Sequence, residues 1–449
     1  MVDKKKKFVK AGFWVMLVFG LSQLVRLGSN LIVTRLLEPE LFGVMAVVYV
    51  VTGGIGMLSD LGLWAFVVRH KDPTNTHMLN VVWTIQVVRG WIIFLGILLT
   101  GIGLALGNQY TPEYFSGIYS DPRLPLLVIV AGVTSILSGY KSLASAVVSR
   151  ELQIGKLEAS DFVCQLASTA VMLIWVWLYP TIWALLAASI ISAVMSTVFS
   201  YTLFPYRHKL VWDKAIVKEV FHFGRWIVIS SALTYIFLQG DKLFLAGKIT
   251  ATEMGIYSIA LMLASLPIAI THTLAAKIIF PFLSSVVHED RTLLKARYYK
   301  IRTYLDGATF FCVGLLIALA PFIINTLYDS RYIEAGWMLQ ILAFSVVGYS
   351  LSATSVECLS ALSITKVNMW VMMVRTAGLF IGLPLFFKLF GLYGAIWVIT
   401  LNPLLALPVI YWTLAKNNVF SLVKELRMLV VIPLGYYLAE AALTLLHLN

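Results

Sequence analysis

Seven basic side chains, Arg26, Arg89, Lys141, Arg225, Lys242, Lys277 and Arg375, fall inside long apolar stretches of the chain. So do six acids, Asp60, Asp161, Asp241, Asp306, Glu357 and Glu440. An ionised group in hydrocarbon costs about 2.5 to 3.5 kcal/mol even on lenient insertion scales, so each needs a reason. Arg225, Lys277, Asp161, Asp306 and Glu357 lie within a turn or two of the end of their stretch, where side chains snorkel or reach interfacial water. Arg26, Arg89, Lys141, Arg375 and Asp60 lie deeper. Three of these four bases are arginines, whose planar fork replaces the water around a phosphate better than an ammonium does. That pattern points to binding a hydrated anion away from bulk water. Arg26 also has company: Ser22, Gln23, Ser29, Asn30 and Thr34 recur at helical spacing and form a polar stripe. A second stripe carries Thr234, Tyr235, Gln239, Asp241 and Lys242. Asp241 and Lys242 are neighbours pointing about 100 degrees apart on a helix, so they neutralise each other poorly.

The elements that position these groups must be membrane helices. The 449 residues are 60% hydrophobic and 12% charged, where a soluble domain needs roughly 25% charged residues. Apolar runs fall near 12–34, 41–68, 78–105, 124–148, 159–179 and 181–204, then near 220–247, 254–281, 303–325, 336–360, 367–387, 391–415 and 427–447. This gives thirteen spans, within a range of twelve to fourteen. Loop charges test the count, because cytoplasmic loops collect Lys and Arg. With the N-terminus inside, Arg35, Arg123, Lys248, Arg331 and Lys388 face out, and the 22 remaining loop bases face in. The net charge of +12 is therefore largely topology rather than a nucleic-acid footprint. The start of the chain reads as a retained first span, since the apolar run passes Arg26 without a cleavage site.

At an offset of 212, Gly12 aligns with Gly224, Trp14 with Trp226, Gly28 with Gly240 and Gly43 with Gly255. At 210, Ser135, Ser142, Ser145 and Lys156 align with Ser345, Ser352, Ser355 and Lys366. The repeat is six spans long, and an even number keeps both copies in one orientation. The expected architecture is an all-α polytopic membrane protein: two parallel six-helix lobes around a central cavity, plus about one C-terminal helix. The lobes run over 1–204 and 220–415, joined by a cytoplasmic linker at 205–219 and followed by an additional helix at 416–449. The amphipathic pieces Lys209 to Val220 and Arg291 to Tyr304 are expected on the membrane surface, and most Trp and Tyr in the interfacial belt.

Enzymatic signatures are missing. Outer loops are short, the longest near 107–123, and no zinc-protease, nucleophile-elbow or phosphate-loop motif occurs. Cys164, Cys312 and Cys358 are far apart in apolar runs and suggest neither disulfides nor metal. His272, between Thr271 and Thr273, is the one histidine deep in a span, a packing residue or a proton site.

Arg35-Leu-Leu-Glu-Pro-Glu-Leu-Phe-Gly43, followed by Ser59-Asp-Leu-Gly-Leu63, resembles the start of Wzx-type polysaccharide exporters. These belong to the multidrug/oligosaccharidyl-lipid/polysaccharide (MOP) exporter superfamily. The resemblance implies a flippase, not an enzyme. It would carry a polyprenyl-diphosphate-linked oligosaccharide from the cytoplasmic to the outer leaflet of a bacterial inner membrane by alternating access. On that reading Arg26, Arg89, Lys141, Arg375 and Lys242 are candidate diphosphate ligands, drawing the head group inward as a ladder with Arg26 as the deepest rung. Gln23, Asn30, Tyr235 and Gln239 would line the cavity. Asp60, Asp241 and His272 are candidates for counter-ion or coupling to H+ or Na+; no cofactor and no metal are expected. Partners would be the lipid-linked saccharide, membrane lipids and assembly proteins such as a polysaccharide polymerase, with no nucleic acid. The alternatives are a multidrug exporter of the same fold, which would want an acidic or apolar cavity, and a non-transporting partner in a glycan-assembly complex.

Overall fold

The structure is a computed structural model that describes residues 2–70, 72, 75–150, 154–202, 206–364 and 366–445. Among the loop bases, Lys71 and the side chains of Lys4 to Lys10 and Arg150 lie outside the described residues, as do Pro205 of the linker and the side chain of Trp14. Secondary structure among the described residues is helical. Hydrocarbon offers no water to backbone groups, so a span must bond its own N–H and C=O groups.

Contacts divide the chain into two compact units, each considered by itself. The first comprises residues 1–236 and 245–254. Its helices are α1 (Val2–Leu36), α2 (Pro39–Leu58), α3 (Leu63–Arg69), α4 (Thr76–Tyr110), α5 (Leu124–Gly139), α6 (Ala144–Arg150), α7 (Ile154–Leu178), α8 (Trp183–Thr202) and most of α9 (Lys214–Ala246). The second comprises residues 237–244 of α9 and 255–449. It carries α10 (Ala251–Leu274), which begins in the first unit, then α11 (Phe280–Glu289), α12 (Leu294–Leu327), α13 (Ala335–Ala343) and α14 (Ser345–Ala361). After these come α15 (Lys366–Leu401), α16 (Leu407–Lys416), α17 (Leu422–Leu426) and α18 (Val431–Leu445). The dividing point thus falls inside α9.

Eleven helical stretches among the described residues are long and apolar enough to cross a membrane, and Leu124–Gly139 is a shorter apolar helix. One stretch, Lys366–Lys416, has 51 residues. At 1.5 Å per residue it would be about 75 Å long, more than twice a bilayer core. Gly391, with φ 61 and ψ −146, breaks it into two crossings. With that stretch counted as two and Leu124–Gly139 included, the described residues offer thirteen candidate crossings.

Two expected spans are not continuous. The 41–68 run stops at Leu58 and restarts at Leu63. The cause lies in Ser59-Asp60-Leu61-Gly62: the Asp60 carboxylate accepts the Gly62 N–H at 3.1 Å, and Gly62 sits at φ 61, where glycine costs least. A Cβ on Gly62 would also stand 2.4 Å from the Ile227 side chain. The 124–148 run likewise breaks at residues 140–143, between α5 and α6. The Glu38-Pro39-Glu40 turn is built as a helix start, with Glu38 as N-cap, Pro39 in the first turn and Glu40 paired with Arg123.

The two expected surface pieces pack one side against the protein. Residues 206–213 form an irregular strip along α4: the Lys209 N–H donates to Asn80 Oδ1 at 3.1 Å, and the Val211 N–H to Thr84 Oγ1 at 2.9 Å. His208 stacks on Trp83 with ring centroids 5.2 Å apart. The Arg291–Tyr304 piece enters α12, where Tyr298 and Tyr299 are buried and Arg302 is 1% exposed. Arg302 is therefore not a loop charge. Its Nε donates to Asp306 at 2.7 Å, and its Nη1 donates to Tyr298 at 2.7 Å and to Glu425 of α17.

Small residues set the closest helix approaches. A Cβ on Gly90 of α4 would lie 2.8 Å from the Ser135 carbonyl of α5. On Gly314 of α12 it would lie 2.1 Å from the Ile432 carbonyl, and on Gly435 of α18 2.4 Å from the Phe311 carbonyl. Backbones touching through glycine are a common means of holding membrane helices together. Pairings of α12 with α17 and α18 advance in the same direction, Arg302 to Glu425 and Gly314 to Gly435, so α18 runs parallel to α12.

Candidate functional site

The two helix breaks of the first unit open onto one cavity of about 510 Å³. A helix that ends inside a span leaves carbonyls without partners, and these must be bonded or line a wet cavity. Two side chains of α4 supply the bonds. Gln86 Nε2 donates to the carbonyls of Ser138, Gly139 and Lys141 at 3.2, 3.0 and 2.8 Å, closing the end of α5. One turn on, Arg89 donates from Nη2 to the Gly56 carbonyl at 3.1 Å and from Nε to Ser59 Oγ at 3.3 Å, closing the end of α2. A cation there also suits the negative end of the helix dipole. Asp60 lies 3.8 Å from Arg89, while its other oxygen accepts from Ser231 at 3.0 Å.

Lys141 stands at the second break and lines both this cavity and a neighbouring one of about 390 Å³. Its ammonium has no hydrogen-bond or ion-pair partner among the described residues. Asp161 shares the larger cavity. With Asp60 beside Arg89, Lys141 is the less committed of the two bases lining this cavity.

The remaining wall is hydroxyl-rich. Ser135 and Ser138 of α5, Ser142 of the break and Ser145 of α6 line the larger cavity, and Ser196 and Ser200 line it from α8. Hydroxyls can donate to phosphate oxygens and exchange bonds with sugar hydroxyls. The chemistry on offer is a two-cation anion site set in a hydroxyl-lined cleft.

The other sequence-derived candidates are not gathered here. Arg26 is exposed on α1, and Gln23 and Asn30 are half-buried on the same helix. Tyr235 packs against Gly53 and Gly54, and its hydroxyl donates to the Val50 carbonyl. In the second unit, Lys242 Nζ donates to Gln239 Oε1 at 3.1 Å. Asp241, 7% exposed, turns instead to the Tyr257 hydroxyl at 2.5 Å. Arg375, also 7% exposed, is wedged between the rings of Phe237 and Tyr349 at 4.6 and 4.5 Å, and its Nε donates to Asn402 at 3.4 Å. His272 is exposed on α10. Arg89 and Lys141 thus share one cavity in the first unit, while Arg375 and Lys242 belong to the second.

Sequence reasoning missed Gln86 and the serine wall. Both had a signal: Gln86 and Arg89 are polar residues three apart in an apolar run, and Ser189, Ser192, Ser196 and Ser200 recur at helical spacing. No group of His, Cys, Asp and Glu suited to a metal ion occurs among the described residues.

Known proteins carry the same framework. A family model described as polysaccharide biosynthesis protein matches residues 32–336. The lipopolysaccharide biosynthesis protein WzxC of Escherichia coli (strain K12) is 20% identical over 295 residues, which cover 65% of this chain but 57% of WzxC. Among solved structures, the lipid II flippase MurJ in an inward closed conformation superposes with a TM-score of 0.69 at 10% identity, covering 97% of this chain and 99% of MurJ. An inward-facing multidrug resistance MATE transporter of the MOP superfamily gives 0.64 at 16% identity, covering 88% and 94%. At such identities the structural likeness speaks for the fold alone. The family match spans well over half of the sequence, and the chain belongs to the polysaccharide biosynthesis protein family.

Proposed function

We propose that this multi-pass membrane protein is a flippase for a lipid-linked saccharide, and more narrowly that it carries a polyprenyl-diphosphate-linked oligosaccharide from the cytoplasmic to the outer leaflet of a bacterial inner membrane. The observation that carries the reading is Lys141, a base without a partner among the described residues, at a helix break in a serine-lined cavity that also holds Arg89. A diphosphate entering such a cleft must shed water, and an ammonium, a guanidinium fork and hydroxyl donors can take the place of that water. Family membership supports a saccharide cargo, and MurJ, which shares the fold, is a lipid II flippase. In this account Lys141 makes the first phosphate contact and Arg89 the second, with Asp60 holding Arg89 neutralised while the site is empty. Arg26, Arg375 and Lys242 remain candidates for later positions along the path. Among the coupling candidates we favour Asp241, whose buried carboxylate has a hydroxyl rather than a base for its neighbour. The transport cycle would be rocking of the two lobes.

The test is reconstitution of the full chain in proteoliposomes with defined polyprenyl-diphosphate saccharides, following movement between leaflets with and without H+ and Na+ gradients. Movement should occur and should fall about tenfold in Lys141→Ala, the loss expected for one charge-assisted bond. Failure with every such lipid, together with export of cationic dyes, would replace this reading with the multidrug one.

A further inference from the structure

The second unit contains a slot of about 830 Å³ that has no part in the transport site proposed above. One wall is the start of α15, with Lys366, Val367 and Trp370; the other is α16, with Val409, Trp412 and Lys416. The walls mirror each other. Lys366 and Trp370 are four residues apart, as are Trp412 and Lys416, so on each helix a lysine and a tryptophan stand on one face. Lys416 Nζ lies 5.6 Å from the Trp412 ring centroid. No Asp or Glu is among the described lining residues. An interfacial belt accounts for Trp and Lys near a span end. It gives no reason for two Lys/Trp pairs to wall one cleft with an apolar floor.

A slot of this kind has two requirements: an apolar filler for its length and an anion for its two ammonium groups. Basic pockets between membrane helices meet both by taking an acidic lipid. The lining lacks the serine face of the first unit. It adds only Thr413 and Asn417 as polar side chains, and Asn417 already donates to the Thr413 carbonyl at 2.9 Å. That suits a phosphate with a small head group better than a saccharide.

We propose that this slot holds one anionic phospholipid of the surrounding bilayer, its phosphate between Lys366 and Lys416 and its chains along Val367, Trp370, Val409 and Trp412. Native mass spectrometry of the full chain, released from micelles supplied with either phosphatidylglycerol or phosphatidylcholine, tests it. One phosphatidylglycerol should be retained where phosphatidylcholine is not. Retention should drop roughly tenfold in K366Q/K416Q and return in K366R/K416R, which also controls for folding. Equal retention of both lipids, or unchanged retention in K366Q/K416Q, would overturn the proposal. So would preferential retention of a polyprenyl phosphate over phosphatidylglycerol, which would assign the slot to the carrier lipid instead.

Discussion

Lys141 and Arg89 line one cavity but hold different things. Arg89 donates to Gly56 and Ser59 and faces Asp60, so it both caps α2 and offers charge. Removing it should cost on two counts: Arg89→Ala should lower thermal stability by about 1 to 3 kcal/mol, the penalty for unpaired buried acceptors, as well as abolishing transport. Lys141→Ala should leave the melting temperature within a degree or two while transport falls, and a thermal shift measured beside the flux separates the two. Asp60→Asn keeps an acceptor for the Gly62 N–H but removes the counter-charge from Arg89. Substrate affinity should then rise severalfold and turnover slow, seen as apparent KM and kcat falling together; an unchanged KM would remove Asp60 from the site. Sequence depth alone singled out Arg89, Lys141 and Asp60, along with Arg26 and Arg375, because charge in hydrocarbon is legible by its cost. It could not separate a capping arginine from an uncommitted lysine, because that depends on which helix ends face α4.

The helix breaks and seams set those contacts, and each seam has its own sensitivity. Gly314 and Gly435 let α18 lie against α12 at backbone distance, so Gly435→Leu should detach it or cost upwards of about 3 kcal/mol, read as early proteolysis of the α18 region. Arg302, Asp306 and Glu425 are 1, 2 and 0% exposed and tie α12 to α17. Arg302→Leu leaves two buried carboxylates without their cation and should destabilise by about 3 to 5 kcal/mol, more than Glu425→Gln, which leaves the Arg302–Asp306 pair intact. The strip at 206–213 responds to pH. His208 Nε2 accepts the Leu143 N–H at 3.3 Å, and burial holds its pKa down at about 4 from an ordinary 6.5. The folded form favours the neutral ring, so the stability it contributes is intact above pH 6.5 and is lost as pH falls through the window from 6.5 to about 4. Hydrogen exchange across residues 206–213 should speed up over that window and become insensitive to it in His208→Phe. Periodicity marked the spans, but the break at 59–62 escaped it, since Ser-Asp-Leu-Gly is too short to interrupt an apolar run. The burial of Tyr298, Tyr299 and Arg302 escaped it for another reason: their partner Glu425 lies more than 120 residues away on α17.

Over the whole molecule, the sequence revealed the class and the family, because each is written in composition, run length or a local motif. Even the break near 388–391 was in the run pattern: Gly391, at φ near +60, divides the 51-residue stretch Lys366–Lys416 where the apolar runs 367–387 and 391–415 are separated. Side-chain partnerships within each unit were not legible, since Phe237, Tyr349 and Arg375 meet only after three helices pack. The parallel course of α12 and α18 has a practical bearing on reporters. Because both helices rise together, a fusion placed after Leu445 emerges in the same compartment as one inserted in the loop after Leu327, and opposite to one inserted near Arg291. Alkaline phosphatase, active only where disulfides form, should therefore light up at the first two sites or at the third, but never at all of them. A fluorescent tag that matures only in the cytoplasm should give the complementary pattern, and the choice of terminus for labelling this protein follows from one glycine seam.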